Sequence, residues 1–279
     1  MAKGSLLTQM IDLNNPDVVS VFDELPLWSA PFGLKLLDTV TLRPNMRVLD
    51  IGCGAGFPLL ELAQRLGSSS YVYGIDPWET ALERLSRKVT VMGLTNVQTI
   101  KGVAEQIPFE NHFFDLIVSN NGINNVRDQP AVLAECFRTC KTGGQMVVTM
   151  NLPETMREFY DVYEQTLREL GKSLDIQKMK DHILSKRKPL PLTIQMLEHA
   201  GFRIKHITED SFRMRYQNGT ALFNHFFIRL GFLDGWKSIL AVPDVERTFA
   251  MLEQKLNDLA ARAGELSLSV PYACIDCRK

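Results

Sequence analysis

The chain lacks a long hydrophobic run and an excess of charge of one sign. No segment approaches the ~18 uninterrupted apolar residues of a membrane-spanning helix, and the N-terminus has no long apolar region typical of signal peptides. The 31 basic and 32 acidic residues nearly cancel, so no overall charge attracts a polyanion. The sequence therefore predicts a cytoplasmic protein that has neither a membrane nor a nucleic acid as its partner.

The five cysteines do not form a metal-binding pattern. Cys274 and Cys277 lie three positions apart in a segment with strand composition, and side chains at that spacing point to opposite faces of a strand. Cys136 and Cys140 share a face of a predicted helix, but no histidine or acidic cluster accompanies them. We expect free cysteines that act as small core hydrophobes, without a bound metal.

A glycine-rich turn follows the first apolar run. Residues 47–51 have strand composition, residues 57–66 repeat apolar side chains at helical spacing, and Gly52, Gly54 and Gly56 lie between them. Such a turn either only connects the two elements or brings backbone N–H groups close to a ligand. A dinucleotide fingerprint would have its third glycine at Phe57, so the spacing here differs from that motif.

Further strands follow in regular order at residues 71–75, 97–101, 114–119 and 145–150. Asp76 ends the second strand, 26 residues after Asp50. An acidic side chain at this position either accepts hydrogen bonds from ribose hydroxyls or caps the next helix.

These segments resemble the class I S-adenosylmethionine-dependent methyltransferases, in the branch with the common small-molecule methyltransferase domain. The matching motifs are VLDIGCGAG at 48–56, YGIDP at 73–77, AEQIPF at 104–109, FDLIVSNNG at 114–122 and ECFRTCKTGGQMVV at 135–148. The resemblance covers about the first half of the chain. It implies an α/β fold with a Rossmann-like, doubly wound, seven-stranded and mostly parallel sheet, a helical cap or insert, and S-adenosyl-L-methionine as cofactor.

The resemblance also implies roles for individual residues. The implied cofactor-binding residues are Asp50, Gly52, Cys53, Gly54, Asp76, Pro77, Trp78, Ala104, Glu105 and Asn120. Asp50 holds the cofactor's amino group or orders the loop, and Asp76 accepts from the ribose hydroxyls. The family's common glycine-Asp-Ala motif is Gly102-Val103-Ala104 here, so Glu105 is expected to replace the missing Asp at the adenine, unless it is only a solvated loop carboxylate.

The residues after the fourth strand favour a small-molecule acceptor. Methyltransferases that act on nucleic-acid bases carry Asp or Asn followed by Pro-Pro and an aromatic there, whereas this chain has Ser-Asn-Asn-Gly at 119–122. The candidate acceptor-binding residues are Trp28, Asn121, Tyr160, Arg213, Arg215 and Tyr216. The sequence identifies no general base, and the predicted transfer needs no metal.

The expected organisation has a sheet core with helical additions. We expect a helical lead-in at 1–45, a cofactor-binding core at 46–150, helices and a strand continuing that core at 151–210, a helical substrate insert at 211–264 and a final strand at 265–279. The leading prediction is in-line methyl transfer to a small, partly apolar molecule, with a carboxylate as one acceptor. The alternatives are a nicotinamide-dependent oxidoreductase on a similar fold and a non-catalytic cofactor-binding protein.

Overall fold

The computed structural model describes residues 11–24 and 27–279. These residues form two compact units, and each unit is assembled from separate stretches of the chain. Unit 1 contains residues 11 and 12, Leu152–Arg187 and Ser211–Pro271. Unit 2 contains Leu13–Asn151, Lys188–Asp210 and Tyr272–Lys279.

Seven strands form a single sheet. They are β1 (Arg47–Ile51), β2 (Tyr71–Asp76), β3 (Val97–Lys101), β4 (Phe114–Asn120), β5 (Cys140–Asn151), β6 (Arg203–Tyr216) and β7 (Leu266–Arg278). Their order in the sheet is β3-β2-β1-β4-β5-β7-β6. The first five strands pair in parallel, and β7 pairs antiparallel with β5. The predicted Rossmann-like, mostly parallel seven-stranded sheet is confirmed.

The helices of the described residues follow in chain order. They are α1 (Pro16–Glu24), α2 (Ser29–Thr39), α3 (Leu59–Leu66), α4 (Glu79–Val91), α5 (Gln129–Thr139), α6 (Arg157–Glu169), α7 (Ser173–Lys186), α8 (Leu190–His199), α9 (Gly219–Asn224), α10 (Phe226–Ile228), α11 (Asp234–Lys237) and α12 (Val242–Ala263). A 3₁₀ turn spans Gly122–Asn125 and a π turn spans Arg229–Leu233.

The two central strands of unit 2 are apolar on both faces because helices cover both sides of a parallel sheet. In β1 the side chains of Val48, Leu49 and Ile51 are at most 1% exposed, and β4 has the same buried character. The strand order reverses between β1 and β4. Open α/β sheets bind their ligands at such a switch point, beyond the carboxyl ends of the strands.

An aromatic core holds unit 1 together. The rings of Phe159 and Trp236 stack with centroids 4.0 Å apart, and the Tyr163 hydroxyl donates a hydrogen bond of 3.1 Å to the Trp236 carbonyl. The ring of Phe249, from α12, packs against Tyr163. Helices far apart in sequence therefore bury one another's aromatic faces.

Two strands are longer than the sequence analysis indicates. Strand β6 continues to Tyr216 instead of ending by residue 210, because apolar and polar side chains keep alternating through residues 212–216. The segment from Ser211 to Tyr216, expected in a helical insert, is therefore extended. Strand β5 begins at Cys140, before the two glycines, and its pairing with β4 shifts register between Phe114 and Leu116.

Candidate functional site

A cleft of about 240 Å³ opens in unit 2 where strands β1, β2 and β4 end. It is lined by residues 52–57, by Asp76 and Trp78, by Asn120, Asn121, Gly122 and Asn125, and by Phe22, Asp23, Trp28 and Ser29. The cleft thus lies at the switch point of the sheet, where a ligand is expected. The candidates that line it are Gly52, Cys53, Gly54, Asp76, Trp78, Asn120, Trp28 and Asn121.

The first two glycines of the loop differ in their surroundings. Gly52 has a φ of +73°, and a Cβ at this residue would lie 3.1 Å from the Cα of Gly122. Gly54 has a φ of +48°, but an added Cβ would meet no atom within 4 Å. Gly52 therefore allows two loops to pack closely, whereas Gly54 leaves backbone uncovered beside open space.

Asp76 holds the glycine loop from the end of β2. One carboxyl oxygen accepts a 2.9 Å hydrogen bond from the Gly54 N–H, and the other accepts a 2.8 Å hydrogen bond from the Trp78 N–H. Each carboxylate oxygen has a second lone pair that can accept from a ligand. Burial raises the pKa of Asp76, and these two amides offset part of that shift. The contact with Trp78 is a turn before α4 and not a helix cap, because Trp78 is itself the N-cap residue and α4 has no side-chain cap. The predicted ribose contact stays a prediction.

Asp50 is a fully buried carboxyl group below the loop. Neither of its oxygens has a hydrogen-bond partner among the described residues. Burial raises the pKa of Asp50 well above its usual value, the charge of Asp76 raises it further, and the nearby amide of Leu59 lowers it only in part. Two carboxyl groups in apolar surroundings favour a positively charged ligand, because a cation stabilises their ionised forms.

Aromatic side chains form one wall of the cleft. The Trp78 indole N–H donates a 2.9 Å hydrogen bond to the Leu13 carbonyl, and the Trp78 and Phe22 rings lie 5.9 Å apart. Trp28 contacts Phe32 edge-on at 5.4 Å. Phe32 is fully buried, and only Trp28 of this pair lines the cleft. The wall offers flat apolar surfaces on which a planar ring can stack.

A charged latch connects α1 to the glycine loop. Asp23 accepts hydrogen bonds from Arg84 at 2.9 Å and from Lys88 at 2.6 Å. The Lys88 ammonium also donates to the Ala55 carbonyl at 2.6 Å. Lys88 therefore ties α4, α1 and the loop together at the edge of the cleft, and we call these contacts the Asp23 latch.

The two asparagines after β4 are held by other polar groups. The Asn120 amide N–H₂ donates to the Ser29 carbonyl at 3.1 Å, and its oxygen accepts from the Thr149 hydroxyl at 2.8 Å. The Asn121 oxygen accepts from the Asn124 amide at 2.8 Å and from the Asn151 N–H at 3.1 Å. Their side chains shape the cleft while their principal polar atoms bind the protein itself.

Four implied cofactor residues do not line the cleft. Asp50 and Ala104 are buried, and Pro77 is exposed. One carboxyl oxygen of Glu105 accepts from the N–H groups of Arg127 and Asp128, so this side chain stabilises the loop before α5. The predicted adenine contact of Glu105 stays a prediction.

The candidate acceptor residues of unit 1 occupy different surroundings. Arg215 forms an exposed ion pair with Glu265, and Arg213 donates a 3.1 Å hydrogen bond to Ser267. Tyr216 is buried, and its hydroxyl has no partner among the described residues. Tyr160 is also buried, and its hydroxyl accepts a 3.0 Å hydrogen bond from the Trp236 indole. Their predicted contact with an acceptor remains a prediction.

Several residues that line the cleft are not among the site residues predicted from the sequence, and they include Asp23, Phe57 and Gly122. Asp23 is one acidic residue in an amphipathic helix and carries no local signal. In the sequence, Phe57 stands out only because it occupies the position of the third glycine of a dinucleotide motif. Gly122 stands two residues after the end of β4 at Asn120, and a position just beyond a strand of a parallel sheet is a signal that could have found it.

The cleft residues fit S-adenosylmethionine in charge and shape. Asp76, which lines the cleft, suits a positively charged ligand, and the unpartnered carboxyl group of Asp50 is buried outside the cleft lining. The space beside Gly54 admits a ligand against the backbone, and the aromatic wall suits an adenine. Within residues 11–24 and 27–279, no group of three His, Cys, Asp or Glu side chains is arranged for a metal ion. No helix in the described part of the chain is long and apolar enough to cross a membrane.

Comparisons with known proteins agree on the family. The family model described as Methyltransferase domain matches residues 42–197, which is more than half of the chain. A demethylmenaquinone methyltransferase of Bacillus cytotoxicus is 34% identical over 130 residues, or 47% of this chain and 54% of that protein. The chain thus spans about half the length of this curated relative.

Solved structures share the fold. The YcgJ protein of Bacillus subtilis has a TM-score of 0.59 at 19% identity, with 89% of this chain and 97% of that chain covered. A SAM-dependent methyltransferase of Aquifex aeolicus has a TM-score of 0.54 at 23% identity, with 70% and 92% covered.

Proposed function

The chain belongs to the class I S-adenosylmethionine-dependent methyltransferases, and we propose that it transfers a methyl group to a small, partly apolar acceptor. The observation that carries the proposal is the paired use of Gly54 and Asp76. Asp76 holds the Gly54 N–H at 2.9 Å, while the missing side chain of Gly54 leaves open space above the loop. This arrangement supports a bound cofactor whose ribose lies at Asp76 and whose methionine part lies on the glycine loop.

S-adenosylmethionine supplies an electrophilic methyl group on a positively charged sulfur. In the proposed reaction an acceptor atom forms a bond to that carbon while the carbon–sulfur bond breaks, and the electron pair stays on the sulfur of the leaving thioether. The protein's main contribution is to position the two reactants and to exclude water. Asp76 orients the ribose, Asp50 attracts the ammonium group, and the Asp23 latch holds α1 at the edge of the cleft.

The proposed acceptor is a small, apolar molecule. The Bacillus cytotoxicus relative is named for demethylmenaquinone, an observation that favours an apolar acceptor. Demethylmenaquinone is therefore the first molecule to test, beside apolar carboxylates, which the arginine-containing segment after Asp210 suggested from sequence. Neither nicotinamide-dependent oxidation nor a non-catalytic role has support from the relatives.

Binding and turnover can be tested separately. Calorimetry should detect micromolar binding of S-adenosylmethionine and its demethylated product, with no binding of NAD. An assay for S-adenosylhomocysteine should then show product formation that depends on an added acceptor. Strong NAD binding with no response to S-adenosylmethionine would overturn the proposal.

Replacement of Asp76 by Ala tests the cofactor site directly. The change removes two hydroxyl contacts and should weaken S-adenosylhomocysteine binding by about 1–3 kcal/mol. Asp181→Ala, on the exposed surface of α7, is the matched control and should bind normally. Equal affinity of the Asp76→Ala protein and the control would limit Asp76 to its loop contacts.

A further inference from the structure

Arg187 is a buried cation in unit 1 with no carboxylate partner. It follows α7, and only 4% of its surface is exposed. Its only side-chain hydrogen bond within the described residues is made to a hydroxyl group, and it forms no ion pair there. Buried arginines are rare unless they are paired, so Arg187 requires an explanation.

Hydrogen-bond donors accumulate beside Arg187 without an acceptor. A guanidinium has five N–H donors. One Arg187 nitrogen donates to the Tyr160 hydroxyl oxygen at 3.4 Å, and the Trp236 indole N–H donates to the same oxygen at 3.0 Å. Within the described residues, no other side-chain hydrogen bond of Arg187 or Tyr160 accompanies these two. Unused donors on two neighbouring side chains match a ligand that only accepts.

The surrounding groups do not replace an anion. The guanidinium carbon of Arg187 lies 5.5 Å from the Tyr160 ring centroid and 5.9 Å from the Phe232 ring centroid, close to the outer limit of about 6 Å for a cation–π contact. The two charges that act on the nearby His182 are both positive. Burial lowers the pKa of His182, and the charges of Arg187 and Lys186 lower it further. The exposed Arg215, by contrast, has a carboxylate partner in Glu265.

We propose that Arg187 and Tyr160 form an oxyanion-binding site in unit 1, which accepts a carboxylate or a phosphate. The planar guanidinium presents parallel N–H groups that fit either anion in a bidentate manner, and the Tyr160 hydroxyl adds a third donor. A bound anion offsets the positive charge of Arg187, and the pKa of His182 therefore rises when the site is occupied. This inference does not depend on methyl transfer, since anion binding is measured without cofactor or turnover.

Anion binding can be measured through the NMR signal of the His182 imidazole. NMR titration of the intact protein with benzoate, with inorganic phosphate and with neutral benzamide should follow the His182 signal, assigned through a His182→Gln variant. We expect saturable binding of benzoate or phosphate and an upward shift of the His182 pKa, with no effect of benzamide. Benzoate binding alone would identify a carboxylate site, and phosphate binding alone would identify a phosphate site. Absence of saturation by both anions, or equal binding of benzamide, would overturn the proposal.

Variants of Arg187 and Tyr160 test whether the anion binds to these two side chains. Arg187→Met should weaken anion binding at least tenfold, Tyr160→Phe should weaken it severalfold, and Arg187→Lys should retain part of it. Arg168→Met is the matched control, because Arg168 pairs with Glu164 at the surface of α6. If Arg187→Met fails to fold, the titration of Tyr160→Phe and the comparison of benzoate with benzamide still test whether an anion binds at this site. Anion binding that survives both Arg187→Lys and Tyr160→Phe unchanged would contradict the assignment.

Discussion

Two glycines at the cleft differ in what a side chain would meet, so one is expected to matter for stability and the other for ligand binding. A Cβ at Gly122 would lie 2.6 Å from the Ile51 carbonyl oxygen, a backbone atom that cannot move away easily. A Cβ at Gly54 would meet nothing within 4 Å. The same substitution should therefore harm stability at one site and ligand binding at the other.

We expect Gly122→Ala to lower the free energy of unfolding by about 1–3 kcal/mol, because overpacking displaces the backbone of β1. Gly54→Ala should cost about 1 kcal/mol through its positive φ and should weaken S-adenosylhomocysteine binding more strongly. Urea denaturation and calorimetry measure the two effects. Normal ligand affinity in Gly54→Ala would show that no ligand approaches this backbone.

The buried carboxyl group of Asp50 makes stability depend on pH. Its folded-state pKa lies above the unfolded value, so the folded protein holds an extra proton between the two pKa values. Its contribution to stability is full below the unfolded pKa of about 3.9 and is lost as pH rises through the folded-state pKa. Asp50→Asn should therefore gain stability relative to the wild type as pH rises.

Denaturant titrations between acidic and neutral pH test this expectation, with Asp161→Asn on the exposed surface of α6 as the control. A difference between Asp50→Asn and the wild type that stays constant with pH would be inconsistent with a buried, ionising carboxyl. Addition of S-adenosylhomocysteine should stabilise the Asp50→Asn protein less than the wild type, because the predicted ammonium partner has lost its charge.

At the scale of elements, the Asp23 latch controls how α1 meets the glycine loop. The Lys88 and Asp23 side chains are only 21% and 13% exposed, so water screens their attraction less than that of a surface pair. Lys88 alone also reaches the Ala55 carbonyl of the loop. The remaining Arg84 contact holds α1 against α4 but does not reach that carbonyl.

Lys88→Met should loosen α1 at a cost of about 1–2 kcal/mol, between the values for surface and fully buried pairs. Hydrogen exchange should then speed up in residues 16–24, and the cofactor should dissociate faster. Lys101→Met breaks an exposed pair with Glu79 and is the matched control. Unchanged exchange in α1 would show that the apolar contacts of this helix suffice.

At the scale of the whole molecule, neither unit is a continuous stretch of sequence. Unit 2 takes residues 272–279 from the C-terminal end, and these residues pair with β5 through a register that includes Gln145 with Arg278 and Asn151 with Tyr272. Truncation before this segment would leave β5 without its antiparallel neighbour. Ligand tests therefore require the full chain.

A ligand that binds only the folded protein raises its stability. S-adenosylhomocysteine at 100 times its dissociation constant should add about 2.7 kcal/mol, which corresponds to a rise in Tm of roughly 5–10 °C. Hydrogen exchange should slow mainly at residues 52–57 and 76–78 of the cleft. A thermal shift of the same size with NAD, or protection confined to unit 1, would conflict with the proposed site.

Local patterns in the sequence suffice for the strands and the glycine loop. The apolar composition of β1 and β4, the glycines at 52–56 and Asp76 at a strand end are short-range signals, because burial, positive φ and strand termination act over a few residues. Their order along the chain was enough to identify the family and the sheet. The extension of β6 to Tyr216 follows the alternation of apolar and polar side chains through residues 212–216, but residues 211–264 were expected to form a helical insert.

Only the tertiary structure decided which side chains lie together. Asp23 meets Arg84 and Lys88 across 61 and 65 positions of sequence, and Gly52 approaches Gly122 because β1 and β4 are neighbours in the sheet. Arg187 lies between Lys186 and Lys188 in sequence, yet folding buries it beside Tyr160 without a carboxylate. Such contacts arise from long-range packing, which sets the burial and the charge of a group independently of its neighbours in sequence.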